Sequence, residues 1–259
     1  MPKPDLKTLP PLSQWQVAVL RLTAFPTATA KFDEPKWWSE LTGKQPETRN
    51  IRPAKGELIE QGPFDQGTLI LQLQPLRVDW QFSQMDEQRL DEVLIPAAGS
   101  FTDVADKFVK LMLTWLSPSM VPPLRRLAFG ATLLQPVEDR AQGYGLLANY
   151  LPAVHLSPES SDFLYQINRP RSSRVSILQN RKLNRLSKWS CSVFQRGQVE
   201  IGQEVHVGAF GKQQYACRLE LDINTAAEFM DELPRETLGK LFRELFDLGK
   251  EIAEKGDIQ

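Results

Sequence analysis

Apolar and polar positions alternate in several stretches of the chain, and each such stretch predicts a half-buried strand. Trp15, Val17 and Val19 alternate with Gln16 and Ala18. Leu69, Leu71 and Leu73 alternate with Ile70, Gln72 and Gln74. After Pro75, Val78, Trp80 and Phe82 alternate with Arg77, Asp79 and Gln81, which predicts a hairpin turning at that proline. Leu127, Phe129, Ala131 and Leu133 form a further strand. The sharpest alternation runs from Tyr215 through Cys217, Leu219 and Leu221 to Ile223, against Ala216, Arg218, Glu220 and Asp222. Val175 to Leu178, Trp189 to Phe194 and Val199 to Val207 read as shorter strands separated by Gly197 and Gly202. Gly208 to Lys212 reads as a hairpin turn.

Helical spacing takes over in three places. Phe101, Val104, Ala105, Phe108, Met112 and Trp115 share one face, with Ser100 and Asp103 as a capping box and Pro118 as the stop. Asp139 to Leu151 is a shorter helix, weakened by Gly143 and Gly145. Pro234 opens a last helix with Leu238, Leu241, Phe242, Leu245, Phe246 and Ile252 on one face. Between Pro26 and Gly67, prolines at 26, 35, 46, 53 and 63 rule out a long helix and predict a proline-rich arm, which either contains short elements or serves a function as a loop.

The implied fold class is α+β: antiparallel sheets with amphipathic helices packed on one face. The order strands, acidic linker, helix occurs twice, so two similar halves are expected, residues 1–120 with the arm and residues 121–259, forming one compact unit. The first linker is Gln84 to Gly99 and the second is Asn224 to Leu233.

Composition narrows the function classes. Hydrophobic residues at 41% and charged residues at 24% exclude a disordered chain. A formal net charge of -1 gives no global steering toward nucleic acid or membrane. The most apolar run, Val109 to Leu116, is far short of the roughly 20 residues that cross a bilayer. The N-terminus has no apolar signal-peptide core. Cys191 and Cys217 lie far apart in sequence and read as reduced, buried thiols of a cytoplasmic protein.

The search for catalytic chemistry is mostly negative. His155 and His206 have no metal-ligand pattern around them, so no metal or cofactor is expected. Gly143-Tyr144-Gly145-Leu146-Leu147-Ala148 fits a dinucleotide fingerprint formally but follows no buried strand. Asp79, Glu220 and Asp222 could serve a metal-dependent nuclease or hydrolase if they converged, but each falls on the polar side of its strand. One charge block stands out. From Phe163 to Val199 there is no Asp or Glu, while Arg169, Arg171, Arg174, Arg181, Lys182, Arg185, Lys188 and Arg196 all fall inside it. Arginine interleaved with Asn, Ser, Tyr165 and Trp189 suits phosphate contacts and base stacking, and equally suits an acidic surface of the same chain or of a partner. Trp37 and Trp38 either anchor the arm to the core or present an aromatic hot spot to a partner.

The order of Arg125-Arg126-Leu127-Ala128-Phe129, then Ile167-Asn168-Arg169-Pro170 with its basic continuation, then Leu219 to Thr225 before a Leu- and Phe-rich helix resembles a sporadically distributed, uncharacterised bacterial family. The likeness runs from about Val17 to Lys250. It implies a component of a phage-defence or mobile-element gene set and carries no catalytic residues. The function expected is a non-catalytic subunit that binds a partner protein or itself, with Trp37, Trp38 and the basic residues as the contact set. The alternative is a nucleic-acid-binding protein using segment 169–196. A metal-dependent hydrolase or nuclease ranks third.

Overall fold

A computed structural model describes residues 9–29, 36–85, 95–157, 159–178, 181–201, 205–228 and 231–257, with backbone pairing alone for 196–212. The N-terminal prolines up to Pro4 and part of the first acidic linker, residues 86–94, lie outside these.

Alternation in the sequence becomes a sheet of ten strands ordered β2-β3-β4-β5-β1-β6-β10-β9-β7, with β8 also on β9. The strands are β1 (Gln16–Pro26), β2 (Thr48–Arg52), β3 (Glu57–Phe64), β4 (Gly67–Gln74), β5 (Arg77–Gln84), β6 (Leu124–Val137), β7 (Leu164–Asn168), β8 (Arg171–Ser172), β9 (Lys182–Ile201) and β10 (Val205–Thr225). All the pairings described are antiparallel. The hairpin expected at Pro75 is present, with Leu71 opposite Trp80. β1 and β6 lie side by side at the centre and join the two parts of the chain into one sheet, Leu22 facing Phe129.

Helices α1 (Trp37–Thr42), α2 (Phe101–Trp115), α3 (Arg140–Tyr150) and α4 (Leu238–Lys255) accompany the sheet. The apolar faces read from the sequence are the buried ones: Phe101, Phe108, Met112 and Trp115 on α2, and Leu241, Phe242, Leu245 and Ile252 on α4. The rings of Phe101 and Phe246 stack where α2 meets α4. All six tryptophans are buried. Trp15 packs with Tyr150 and Trp189 under β1 and β9. Its indole N–H donates to the Ala253 carbonyl at 2.9 Å, which ties the N-terminal segment to α4. Gly249 lets α4 lie close on β6, since a Cβ there would come within 2.9 Å of the Phe129 ring.

Within the stretch 26–67 the structure shows the short elements that form one of its two readings: α1, β2 and β3, with Pro46 and Pro53 between them and Pro63 near the end of β3. Three expectations need correction. Val175 to Leu178 is a 3-10 turn over Ser176–Leu178, not a strand. Gly208 to Lys212 is not a turn: these residues continue β10, Gly208 pairing in register with Gln198 and Gly211 falling within the irregularity between Phe210 and Gln214. Ser100 precedes α2, yet its hydroxyl bonds the Asp103 carboxylate at 2.6 Å rather than a backbone N–H, so the capping box is not formed as expected.

Candidate functional site

The basic segment meets two glutamates of the last helix and an aspartate just beyond it. β7, β8 and the first half of β9 run alongside α4, whose Glu244 and Glu251 are seven residues apart and so project from one face about two turns apart. Asp257 follows beyond the helix end. Gly256 at φ +77° turns the chain there and lies against the Tyr150 carbonyl, in space that a side chain would fill. Asp257 then donates its N–H to that carbonyl at 2.8 Å.

Each carboxylate receives its own set of donors. The Glu244 carboxylate is buried and accepts the Ser173 hydroxyl at 2.7 Å and the Arg174 N–H at 2.6 Å, with the Arg174 guanidinium 3.6 Å away. Glu251 accepts from Arg171 at 2.8 Å and lies 3.5 Å from Arg185. Arg169 forks onto both oxygens of Asp257, which also accepts the Tyr165 hydroxyl at 2.8 Å. Arg181 reaches Asp231 at 2.8 Å, and Lys188 reaches Glu220 at 3.2 Å. Lys182 is exposed at the start of β9.

Electrostatics follow from this ladder. Arg169, through its hydrogen bonds, holds Asp257 below the usual carboxylate range against the opposing effect of burial. Burial pushes Glu251 up, but the charge and hydrogen bond of Arg171, with Arg185 and Lys255, bring it below its ordinary value. Arg185 is 2% exposed, and burial followed by the charge of Arg171 lowers its pKa. The segment's positive charge is thus largely matched by carboxylates of the same chain. The acids that match the arginines lie roughly 50 to 90 residues further along, where local sequence does not point to them.

Trp37 and Trp38 are 8% and 2% exposed. Trp37 meets Trp115 edge-on at 5.4 Å, and Trp38 stacks near Trp80 at 6.1 Å. They anchor α1 to the core.

The strand carboxylates do not converge. Asp79 lies on β5, while Glu220 and Asp222 lie on β10, with β1 and β6 between, a separation of about 14 Å at ~4.8 Å per strand. Asp79 accepts from Arg77 at 2.6 Å and from the Thr23 hydroxyl at 2.6 Å. Glu220 pairs with Arg218 at 3.0 Å, and Asp222 accepts from Asn224 at 2.9 Å. Between them, on the sheet face away from the helices, a groove of about 370 Å³ is lined by Arg21, Gly130, Lys188, Glu220 and Asp222. The Arg21 guanidinium lies over Gly130, where a Cβ would come within 3.3 Å of it. Among the described residues, no group of three or more His, Cys, Asp or Glu side chains is arranged to hold a metal ion, and no helix is long and apolar enough to cross a membrane. His155 is exposed in the loop after α3, and His206 of β10 pairs in register with Glu200 of β9.

The feature that sequence reading missed is a ribbon. β9 and β10 pair from Leu183 and Thr225 out to Ile201 and Val205. β7 stops on β9 at Ser190, and β6 stops on β10 at Tyr215. Beyond those points, residues 194–201 and 205–214 pair only with each other among the described strands, over roughly 25 Å at about 3.3 Å per residue. The signal was present: Val199, Ile201, Val205 and Val207 alternate on both sides of Gly202. A cavity of about 680 Å³ opens at the ribbon's base, lined by Gln213, Gln214, Tyr215, Pro136 and Val137 among others.

No family model matches the chain, and no curated protein matches it in sequence.

Proposed function

We propose that this protein is a non-catalytic subunit that self-associates, the β9–β10 ribbon of one copy seating on a second copy. The observation that carries the proposal is the ribbon's length beyond its neighbours in the sheet. A lone two-stranded ribbon is marginal in water, and three or more strands or a packed helix are needed for stability. Its outer edges present backbone donors and acceptors that a second ribbon can pair with. The register sets Val199 opposite Val207 and Ile201 opposite Val205, so apolar residue types recur in pairs along the ribbon. Two ribbons related by a two-fold axis would use the same residues on both sides.

The order strand, helix, four strands, helix occurs from β1 to α2 and again from β6 to α4. That repetition supports reading the chain as two related halves. We further read the protein as a cytoplasmic component of a bacterial defence or mobile-element assembly, and that reading rests on the resemblance of the quoted segments alone. Nucleic-acid binding by segment 169–196 is the weaker reading, because Arg169, Arg171, Arg174, Arg181 and Arg185 already face carboxylates.

Light scattering coupled to size exclusion tests the proposal. The intact chain is expected to run as a dimer. A variant with residues 196–212 replaced by an Asn-Gly turn is expected to run as a monomer with an unchanged thermal midpoint. An intact chain that stays monomeric at high micromolar concentration overturns the proposal, as does a trimmed chain that still dimerises.

A further inference from the structure

The chain has two cysteines, 26 positions apart, and the fold sets them directly opposite each other, Cys217 on β10 paired in register with Cys191 on β9. Directly opposed residues of an antiparallel pair have Cα atoms about 4.5–5.5 Å apart, inside the range of about 4.4–6.8 Å that a disulfide spans. Opposed residues also project to the same side of the sheet. Both thiols lie under one point of α3: a Cβ placed on Gly143 would be 2.8 Å from the Cys191 sulfur and 3.7 Å from the Cys217 sulfur. Cys217 is fully buried and its thiol donates to the Gly143 carbonyl at 3.3 Å, whereas Cys191 is partly exposed. Both are free thiols in the structure.

We propose that Cys191 and Cys217 form a dithiol site that closes to a cross-strand disulfide by exchange with a low-molecular-weight disulfide. The Cys191 sulfur, as the accessible one, attacks the small disulfide. A bond forms between Cys191 and one half, the original S–S bond breaks, and the other half leaves as a thiol carrying the proton that Cys191 loses. The Cys217 sulfur then attacks Cys191, and the second half leaves as a thiol with the proton from Cys217. Two protein thiols are oxidised and one small disulfide is reduced to two thiols. Burial pushes both protein thiols up, Cys217 the further, which keeps the attacking thiolates scarce and makes the exchange slow. Closure removes the thiol donor from the Gly143 carbonyl. It locks the two strands at the place where the ribbon leaves the sheet, since Tyr215 is the last residue of β10 paired to β6.

The experiment equilibrates the folded full-length chain in oxidised and reduced glutathione at varied ratio, quenches it with an alkylating agent, and reads the intact mass and the linked peptides. The expected result is a species lighter by two hydrogens, monomeric on a non-reducing gel apart from any non-covalent association, with Cys191 joined to Cys217. Under the same conditions Cys191→Ser is expected to keep its remaining thiol free and to recover alkylation of Cys217 only after unfolding. The inference fails if both thiols stay free at every ratio at which the unfolded chain oxidises. It also fails if the linkage forms between chains, or if Cys191→Ser is glutathionylated at Cys217 as fast as the parent reacts. These outcomes are independent of whether the ribbon self-associates.

Discussion

Glu244 is a buried carboxylate whose two oxygens are both used, one by the Ser173 hydroxyl and one by the Arg174 backbone N–H. Removing it leaves the buried Ser173 hydroxyl and the part-buried Arg174 N–H without their acceptor. Glu244→Ala is therefore expected to cost about 2–3 kcal/mol in urea unfolding. Asp257 and Glu251 make a pH prediction. Both have folded-state values below their ordinary ones, so each contributes stability above about pH 4, its unfolded value, and that contribution is lost as pH falls through the depressed folded value. Thermal melts of the parent are expected to fall more steeply below pH 4 than those of Arg169→Ala, which lacks the fork on Asp257. These residues also mark what could be read in advance. The basic block was visible from Phe163 to Val199, but its partners are on the last helix, and a contact across that separation leaves no local pattern.

At the scale of elements, glycines in two helices separate close approach from mere flexibility. Gly249 of α4 has no room for a Cβ against Phe129, so Gly249→Ala is expected to destabilise by about 1–3 kcal/mol. Gly145 of α3 faces open space, so Gly145→Ala is expected to stabilise by about 0.5–1 kcal/mol, since it restricts the unfolded chain without a clash. Denaturant midpoints of the two variants should move in opposite directions. Strands that bury one face against helices, β4, β5 and β10 above all, announced themselves by alternation. β2 did not, because every residue from Thr48 to Arg52 is exposed and nothing selects an apolar face. A turn was expected at Gly208 to Lys212 because Gly208 and Gly211 carry the residue type of a turn, while the β10 backbone runs through them with one bulge nearby.

For the whole molecule, the ion-pair ladder makes the basic segment part of what fastens β7, β8 and β9 to α4. Replacing Arg171, Arg174, Arg181 and Arg185 together by alanine is expected to lower the thermal midpoint sharply. The intact fold is expected to show none of the steeply salt-dependent binding of labelled DNA or RNA that several free phosphate contacts produce. Fluorescence polarisation across a salt series checks the second half of that statement. A slope of several ions released would return the segment to nucleic acid.

The ladder has a consequence for synthesis. A ribosome completes β7 through β9 well before it adds Glu244, Glu251 and Asp257. Until α4 emerges, Arg169, Arg171, Arg174 and Arg185 of the nascent chain lack the carboxylates of Glu244, Glu251 and Asp257, next to ribosomal RNA, while only Arg181 and Lys188 can already meet Asp231 and Glu220. Docking of the last helix extinguishes that charge, so a chain stalled before α4 should stay associated with RNA that the finished protein ignores.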